Sequence, residues 1–199
     1  MNFLSILCVA LIASLMCVST ADAAVSFPSD DKTSTVSMKK FTDVTTDTID
    51  RNNSCGDVPQ LMITVAPSSD KTYSVTMFPA DYVEPFLVRS TLKFKLNKDF
   101  YDYKGEAGVI VYMPPETLEE VEINVSGMAV VHEEVVNPKK KFSIEGSTSA
   151  QIFVDSLTAT DLDIDLDTSA MAVVIAAPGN DELEVEVDDI DTSAIAYIE

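Results

Sequence analysis

The stretch DLDIDLDTSAMAVVIAA, residues 161–177, decides the fold class of this chain. Aspartate occupies every second position from Asp161 to Asp167, and leucine or isoleucine stands between the aspartates. Because successive side chains of a β-strand point to opposite faces, this alternation predicts a strand with an apolar inner face and an acidic outer face. Ser169-Ala170 then opens an apolar run, and such small residues are typical of a tight corner between two strands.

The same order of elements returns along the second half of the chain. Pairs of small residues precede an apolar run at Ser126-Gly127, Ser149-Ala150, Ser169-Ala170 and Ser193-Ala194. The serines are 23, 20 and 24 residues apart, and strand-like segments such as KFSIEG and ELEVEVDDID come before the corners. A period of this length in an all-β chain predicts stacked coils, a β-solenoid, strongest over residues 116–199. A twisted sandwich of ordinary hairpins is the alternative architecture.

The first half shows the same period of two without the repeat. Alternating or β-branched segments are TYSVTMF (72–78), STLKFKL (90–96), GVIVYM (108–113) and VEINV (121–125). Turn-forming clusters separate these segments, and no window after the N-terminal segment has helical spacing. We therefore predict an all-β class and a single domain over residues 36–199.

The N-terminal segment has the pattern of an export signal. Residues 3–18 are apolar apart from two serines, and Ala21-Asp22-Ala23 fits a cleavage site. This run is shorter than the ~20 apolar residues of a membrane span. We predict a signal peptide over 1–23, a mature chain from Ala24 and a flexible leader over 24–35. A retained N-terminal anchor is the alternative; otherwise we expect a soluble protein that is secreted or associated with the cell surface.

The charge of the chain is strongly negative. Aspartate and glutamate number 33 against 13 lysines and arginines, which gives a net charge of −20. From residue 142 to residue 199 there is no lysine or arginine. Such a surface repels nucleic acid and anionic membranes, so neither is expected as a partner. It suits cations, basic partners or solubility.

Residues that could carry catalysis are few. The single histidine, His132, stands in VVHEEVV, and no serine lies in a G-x-S-x-G motif. One histidine and one cysteine after the signal segment, Cys55, cannot form a zinc site. We predict no enzyme, and we assign no catalytic residue, no metal-binding residue and no cofactor. Whether Cys55 bridges two chains, and whether the sequons at Asn52 and Asn124 carry glycans, stays open.

Calcium is the serious alternative to a merely solvated acidic face. Asp161, Asp163 and Asp165 begin like an EF-hand loop, but Leu166 and Ala172 stand where that loop needs glycine and glutamate. In an extended strand the aspartates are instead about 7 Å apart, too far for neighbours to hold one ion. A ladder with the acidic residues of the next coil would bring the carboxylates closer. Those residues are Glu184, Glu186 and Asp188.

The order of these elements resembles the secreted GIN-type domain, whose family name refers to an auto-transporter adhesin head. The resemblance covers residues 41–199 and rests on the LKFKL strand (92–96) and on VIVYMPPETLEEVEINVSGMAVV (109–131). It implies a right-handed β-helix-like fold, export and no established enzymatic activity. The family corner is rich in glycine, whereas Ala150, Ala170 and Ala194 stand here, which implies corners with ordinary backbone angles.

These observations together predict a secreted, non-enzymatic extracellular module with an adhesive, binding or structural role. Its expected partner is an extracellular protein or polysaccharide that the sequence does not identify. The alternative is a Ca²⁺-dependent carbohydrate-binding or carbohydrate-active β-helix protein. The last strand-like segment ends at Ile198-Glu199 without an evident cap, so an exposed edge could pair with another subunit.

Overall fold

The structure is a computed structural model that describes residues 33–46, 61–97, 107–124, 127–190 and 193–199. The predicted signal peptide, most of the predicted leader, Asn52 and Cys55 lie outside the described residues. Within the described ranges, no helix has the length and apolar character needed to cross a membrane.

The described residues form fifteen strands and one short 3-10 helix, Glu133–Val135. The strands are β1 (Ser34–Ser37), β2 (Asp43–Thr46), β3 (Leu61–Pro67), β4 (Ser74–Phe78), β5 (Val83–Val88), β6 (Thr91–Leu96), β7 (Ala107–Met113), β8 (Glu120–Ile123), β9 (Met128–Val131), β10 (Phe142–Gly146), β11 (Gln151–Leu157), β12 (Asp161–Leu166), β13 (Met171–Ala176), β14 (Glu184–Ile190) and β15 (Ile195–Ile198). The all-β prediction is confirmed. The first strand begins at Ser34, so it includes the last two residues of the predicted leader.

These strands form two mixed sheets. Sheet A has the order β1-β4-β7-β3-β9-β11-β13-β15, and sheet B has the order β14-β12-β10-β8-β2-β6-β5. The pairs β1–β4, β4–β7 and β5–β6 are antiparallel, and the other neighbours are parallel. From β8 to β15 successive strands alternate between the sheets. The pairing is therefore established, while closure of the coils into a solenoid stays a prediction.

The sequence repeat corresponds to the register of sheet A. Gln151 pairs with Met128 and Met171, and Met171 pairs with Ile195. The aligned residues are separated by the same 23, 20 and 24 positions as the four serines. Each repeat therefore contributes one strand to each sheet, and the apolar run after each corner lies beside its counterpart in the next repeat.

One apolar core takes side chains from both sheets. Phe94, Phe142 and Ile164 of sheet B and Ile63 and Val154 of sheet A are 0–1% exposed and belong to the same cluster. The alternation in the opening stretch is confirmed, since Leu162, Ile164 and Leu166 are buried. Burial of each such side chain contributes roughly 1.5–3 kcal/mol.

The corners differ from the expectation of ordinary backbone angles. The alanines do have such angles, but the two residues before Ala170 do not: Thr168 has φ 41° and Ser169 has φ 64°. The N–H of Ala170 donates to the carbonyl of Asp167 at 3.2 Å, which closes a β-turn. Positive φ at both central positions is the type I′ conformation, and here it joins β12 of sheet B to β13 of sheet A. Thr148 and Ser149 repeat this turn before Ala150.

Candidate functional site

The outer side of sheet B carries most of the aligned acidic residues of the fold. In β8, β10 and β12 apolar side chains point inward and are buried, so the residues between them face outward. We call this surface the acidic face. It comprises Asp43, Glu120, Glu122, Glu145, Asp161, Asp163, Asp165, Glu184 and Glu186.

Strand pairing arranges these side chains in rows across the sheet. The first row contains Asp43, Glu120, Ser143, Asp163 and Glu186. The second contains Thr45, Glu122, Glu145 and Asp165. Neighbouring strands of a sheet lie about 4.8 Å apart, so like charges along a row repel one another at close range. A cation or a cationic partner would relieve that repulsion.

The first cluster of carboxylates joins β8 to β10. Glu120, Glu122 and Glu145 are half-buried and can each offer an oxygen within 4.8 Å of the others. Burial, followed by repulsion from Glu145, Asp43 and Glu122, raises the pKa of Glu120 to about 7. Burial also raises the pKa of Glu145, with Glu122 as the next cause. This part of the face therefore holds its negative charge at an energetic cost.

Hydrogen bonds orient Glu122 within this cluster. The hydroxyl of Thr45 donates to Glu122 Oε2 at 2.8 Å, and Asn124 Nδ2 donates to Glu122 Oε1 at 2.6 Å. The hydroxyl of Ser147 donates to Asn124 Oδ1 at 2.9 Å. Asn124 lies beside Glu122 on the outer side, and its amide is engaged on both atoms. Its sequon serine lies outside the described residues.

The second cluster joins β12 to β14 and already contains a cation. Asp163, Glu186 and Asp188 can offer oxygens within 4.8 Å of one another. Lys141 Nζ lies 2.9 Å from Asp163 Oδ2 and 3.0 Å from Glu186 Oε2. The hydrogen bond to Asp163, followed by that to Glu186, raises the pKa of Lys141. An ammonium thus lies where the sequence-based hypothesis would put a metal ion.

The predicted ladder between the two acidic strands is correct at its start and wrong at its end. Asp161 pairs with Glu184 and Asp163 with Glu186, as the hypothesis requires. An irregularity then shifts the register, so Asp165 pairs with Asp189 instead of Asp188. Such a bulge adds one residue to one strand, and alternation alone does not reveal where it falls.

The first cluster and the role of Lys141 were not predicted from the sequence. Alternation in LEEVEINV and KFSIEG does place Glu122 and Glu145 on outward positions, but only the alignment of β8 with β10 brings them together. Lys141 stands one position before the lysine-free half and reaches across two strands. His132 lies just after β9, is exposed and belongs to neither cluster.

No family model matches the chain, and no curated protein matches it either. Among solved structures, a "putative adhesin" from Bacteroides fragilis shares 15% identity at a TM-score of 0.46, over 83% of this chain and 77% of that one. A "putative adhesin" from Parabacteroides distasonis shares 15% at 0.42, over 72% and 66%. A "putative lipid binding protein" from the same species shares 13% at 0.43, over 83% and 61%. Likenesses of this size assign neither a family nor a function.

Proposed function

We propose that this chain is a secreted, non-enzymatic binding module that engages an extracellular partner through the acidic face. The observation that carries the proposal is the alignment of carboxylates across β2, β8, β10, β12 and β14, which comprises the two rows and the neighbouring pair Asp161–Glu184. A sheet holds such rows rigidly, so a partner meets a preorganised array of charge. The role is adhesive or structural, with no reaction at the site.

Basic side chains of a protein partner match this surface best. Lysine and arginine groups on an extended segment can follow a row of carboxylates, and each contact relieves repulsion between neighbouring acids. Attraction of this kind weakens as salt rises, because the Debye length shrinks from about 10 Å at 0.1 M to about 3 Å at 1 M. Binding through the acidic face should therefore depend steeply on ionic strength.

An oligolysine peptide is a defined probe for the acidic face. Its affinity is measured by calorimetry for the wild type and for a triple variant, Asp161→Asn, Asp165→Asn and Glu184→Gln. These three side chains are exposed on outward positions, so the fold should tolerate the changes. We expect the triple variant to bind the probe at least tenfold more weakly at 0.1 M salt.

A second triple variant has the same net charge and leaves the acidic face intact. It carries Asp81→Asn, Glu116→Gln and Glu182→Gln, all outside the strands. If binding reflects only the net charge of −20, both triple variants lose affinity equally and the acidic face is not the site. The proposal is supported if the control variant keeps its affinity for oligolysine and the first triple variant loses it.

The finer fold assignment is also a proposal. We infer that the parallel strands from β8 onward close into a right-handed β-solenoid and that the chain is a divergent member of the GIN-type domain family. The repeat of small-residue corners and the parallel pairing of alternate strands support this. A crystal structure with left-handed or unconnected coils would overturn it.

Export is proposed from the N-terminal sequence alone. N-terminal sequencing of the protein recovered outside the cells of its host should give Ala-Val-Ser, beginning at Ala24. A protein recovered with Met1 intact and attached to membranes would identify the segment as an anchor instead.

A Ca²⁺-dependent carbohydrate-binding module is the second candidate. The specific observation in its favour is the approach of Glu120, Glu122 and Glu145, since calcium prefers several carboxylate oxygens. Calorimetry and thermal melting with and without millimolar Ca²⁺ test it. Absence of both a binding heat and a change in melting temperature would reject this candidate, and a glycan array with Ca²⁺ present tests the sugar.

A further inference from the structure

The two sheets end at strands of opposite character. Sheet B ends at β14, and sheet A ends at β15. The β14 strand, EVEVDDI, carries acidic side chains along its length, whereas β15, IAYI, has none. Charged side chains on an edge strand are a common protection against pairing with other chains. Within the described residues, the edge strands without a charged side chain are β15 and β1, and of these β1, STVS, is mainly polar whereas β15 is apolar.

The side chains of β15 are also more exposed than their counterparts one strand inward, of which Met171 and Val173 are half-buried and Val174 is buried. Ile195 is 46% exposed, Tyr197 is 42% exposed and Ile198 is 37% exposed. Val174, which pairs with Ile198, is 0% exposed. A short apolar strand with β-branched and aromatic residues is therefore left open on its outer side.

The charge distribution indicates that a second copy of this chain pairs with the open edge of β15. A chain of net charge −20 repels its own copies at most contacts, and pairing β14 with itself would set carboxylates against carboxylates. Pairing β15 with itself sets only uncharged side chains against each other. The same strand is then complementary to its own copy, as a two-fold interface requires.

We propose that two copies of this chain associate through antiparallel pairing of β15 with β15, so that sheet A continues from one copy into the other. A two-fold axis near Ala196 and Tyr197 keeps the acidic Glu199 away from its own equivalent. With the axis at Ala196, Glu199 faces residue 193 of the second copy, and with the axis at Tyr197 it faces residue 195. The pairing goes beyond the proposed function, because it uses sheet A and leaves the acidic face free.

Sedimentation of the exported chain at increasing concentration tests the proposal. We expect a monomer–dimer equilibrium in the wild type and a dissociation constant at least tenfold higher for Ile195→Lys. Val88→Lys is the matched control, because Val88 is also 46% exposed but lies on β5, the far edge of sheet B. Melting curves verify that both variants fold.

Cross-linking identifies the strand that pairs. In a Cys55→Ser background, Tyr197→Cys should form a disulfide-linked dimer under mild oxidation, and Val88→Cys should not. A monomer at all concentrations overturns the proposal, as does a dimer that Ile195→Lys leaves intact. If the wild type is a monomer and the thiol of the Tyr197→Cys variant resists a thiol reagent, the proposal is also wrong, and another part of this chain covers β15.

Discussion

At the scale of single residues, the corners show how an all-β chain turns without glycine. Thr168 and Ser169 both take positive φ, and the hydrogen bond from Ala170 to Asp167 closes the turn around them. A left-handed conformation costs an L-residue other than glycine or asparagine roughly 1–2 kcal/mol. Tertiary pairing of the strands on both sides therefore imposes a conformation that these residues disfavour.

The double variant Thr168→Asn/Ser169→Gly should stabilise the protein. Asn-Gly is the preferred sequence of a type I′ turn, so we expect the unfolding free energy to rise by about 1 kcal/mol in denaturant titrations. Ser143→Gly, in the extended strand β10, is the control and should lower it by about 0.5–1 kcal/mol. A double variant less stable than the wild type would refute this account of the turn.

Glu120 should make stability depend on pH between about 4.5 and 7. Its pKa is raised from 4.5 in the unfolded chain to about 7 in the folded protein. Above pH 7 the folded state bears the full penalty of a crowded carboxylate, and below pH 4.5 the side chain is neutral in both states, so this contribution to stability falls as pH rises.

The Glu120→Gln variant isolates this effect. At pH 8 it should be more stable than the wild type by about 1 kcal/mol, allowing for solvent screening, and the difference should disappear at pH 4. Urea titrations at both values measure it, with Glu182→Gln in an exposed loop as the control. An equal gap between wild type and Glu120→Gln at both pH values would contradict the role of charge.

At the scale of elements, Lys141 connects β12 and β14 through their acidic outer sides. Its ammonium contacts Asp163 and Glu186, and Asp163 Oδ1 is buried without a hydrogen-bond partner among the described residues. The side chain of Lys141 itself is half-exposed, so the bridge is open to competing ions. Lysine thus does for this strand pair what a bound cation would do.

Removal of Lys141 should therefore increase the response to calcium. We expect Lys141→Gln to melt at a lower temperature than the wild type without Ca²⁺ and to recover more in 5–10 mM Ca²⁺, roughly the concentrations at which weak extracellular sites fill. Lys140→Gln is the control, because Lys140 contacts Glu119 at 2.7 Å, outside both clusters. If both variants respond to calcium in the same way, Lys141 does not occupy a position that Ca²⁺ can take.

At the scale of the whole molecule, burial falls towards the end of both sheets. Ile164 of β12 is 0% exposed, whereas Val187, its partner on β14, is 45% exposed. Ile164 and Val187 lie in the same apolar row across sheet B, but β12 has a neighbouring strand on each side, whereas β14 has one on one side. Stability should therefore be concentrated in the interior strands, and the last strand of each sheet should open first.

Two truncations on this one row test the gradient. Ile164→Ala should lower the unfolding free energy by about 2–5 kcal/mol, whereas Val187→Ala should lower it by less than about 1 kcal/mol. Denaturant titrations measure both, and amide exchange should be faster in β14 and β15 than in β12 and β13. Equal losses for the two truncations would mean that β14 is covered in solution.

The sequence by itself determined which side chains face the core and how far apart the repeated strands lie. Alternation suffices for the first because the pleat is a local property, as Leu162, Ile164 and Leu166 show. The repeat suffices for the second because equivalent residues stack in register. Strand β3 was not delimited, since it is buried by β7 and β9, which are distant in the chain. Strand β5 was not delimited because VEPFLV contains Pro85 and does not alternate.

Only the tertiary structure decided which charges meet and which edges stay open. Glu122 and Glu145 come from different repeats, Lys141 reaches two strands, and the shift at Asp165 changes the partner of one acid. Each of these depends on pairing between segments about 20 or more residues apart, where a single added residue moves a side chain to the opposite face. The uncharged strand β15 became an edge for the same reason: its position in the sheet is a consequence of all the pairings before it.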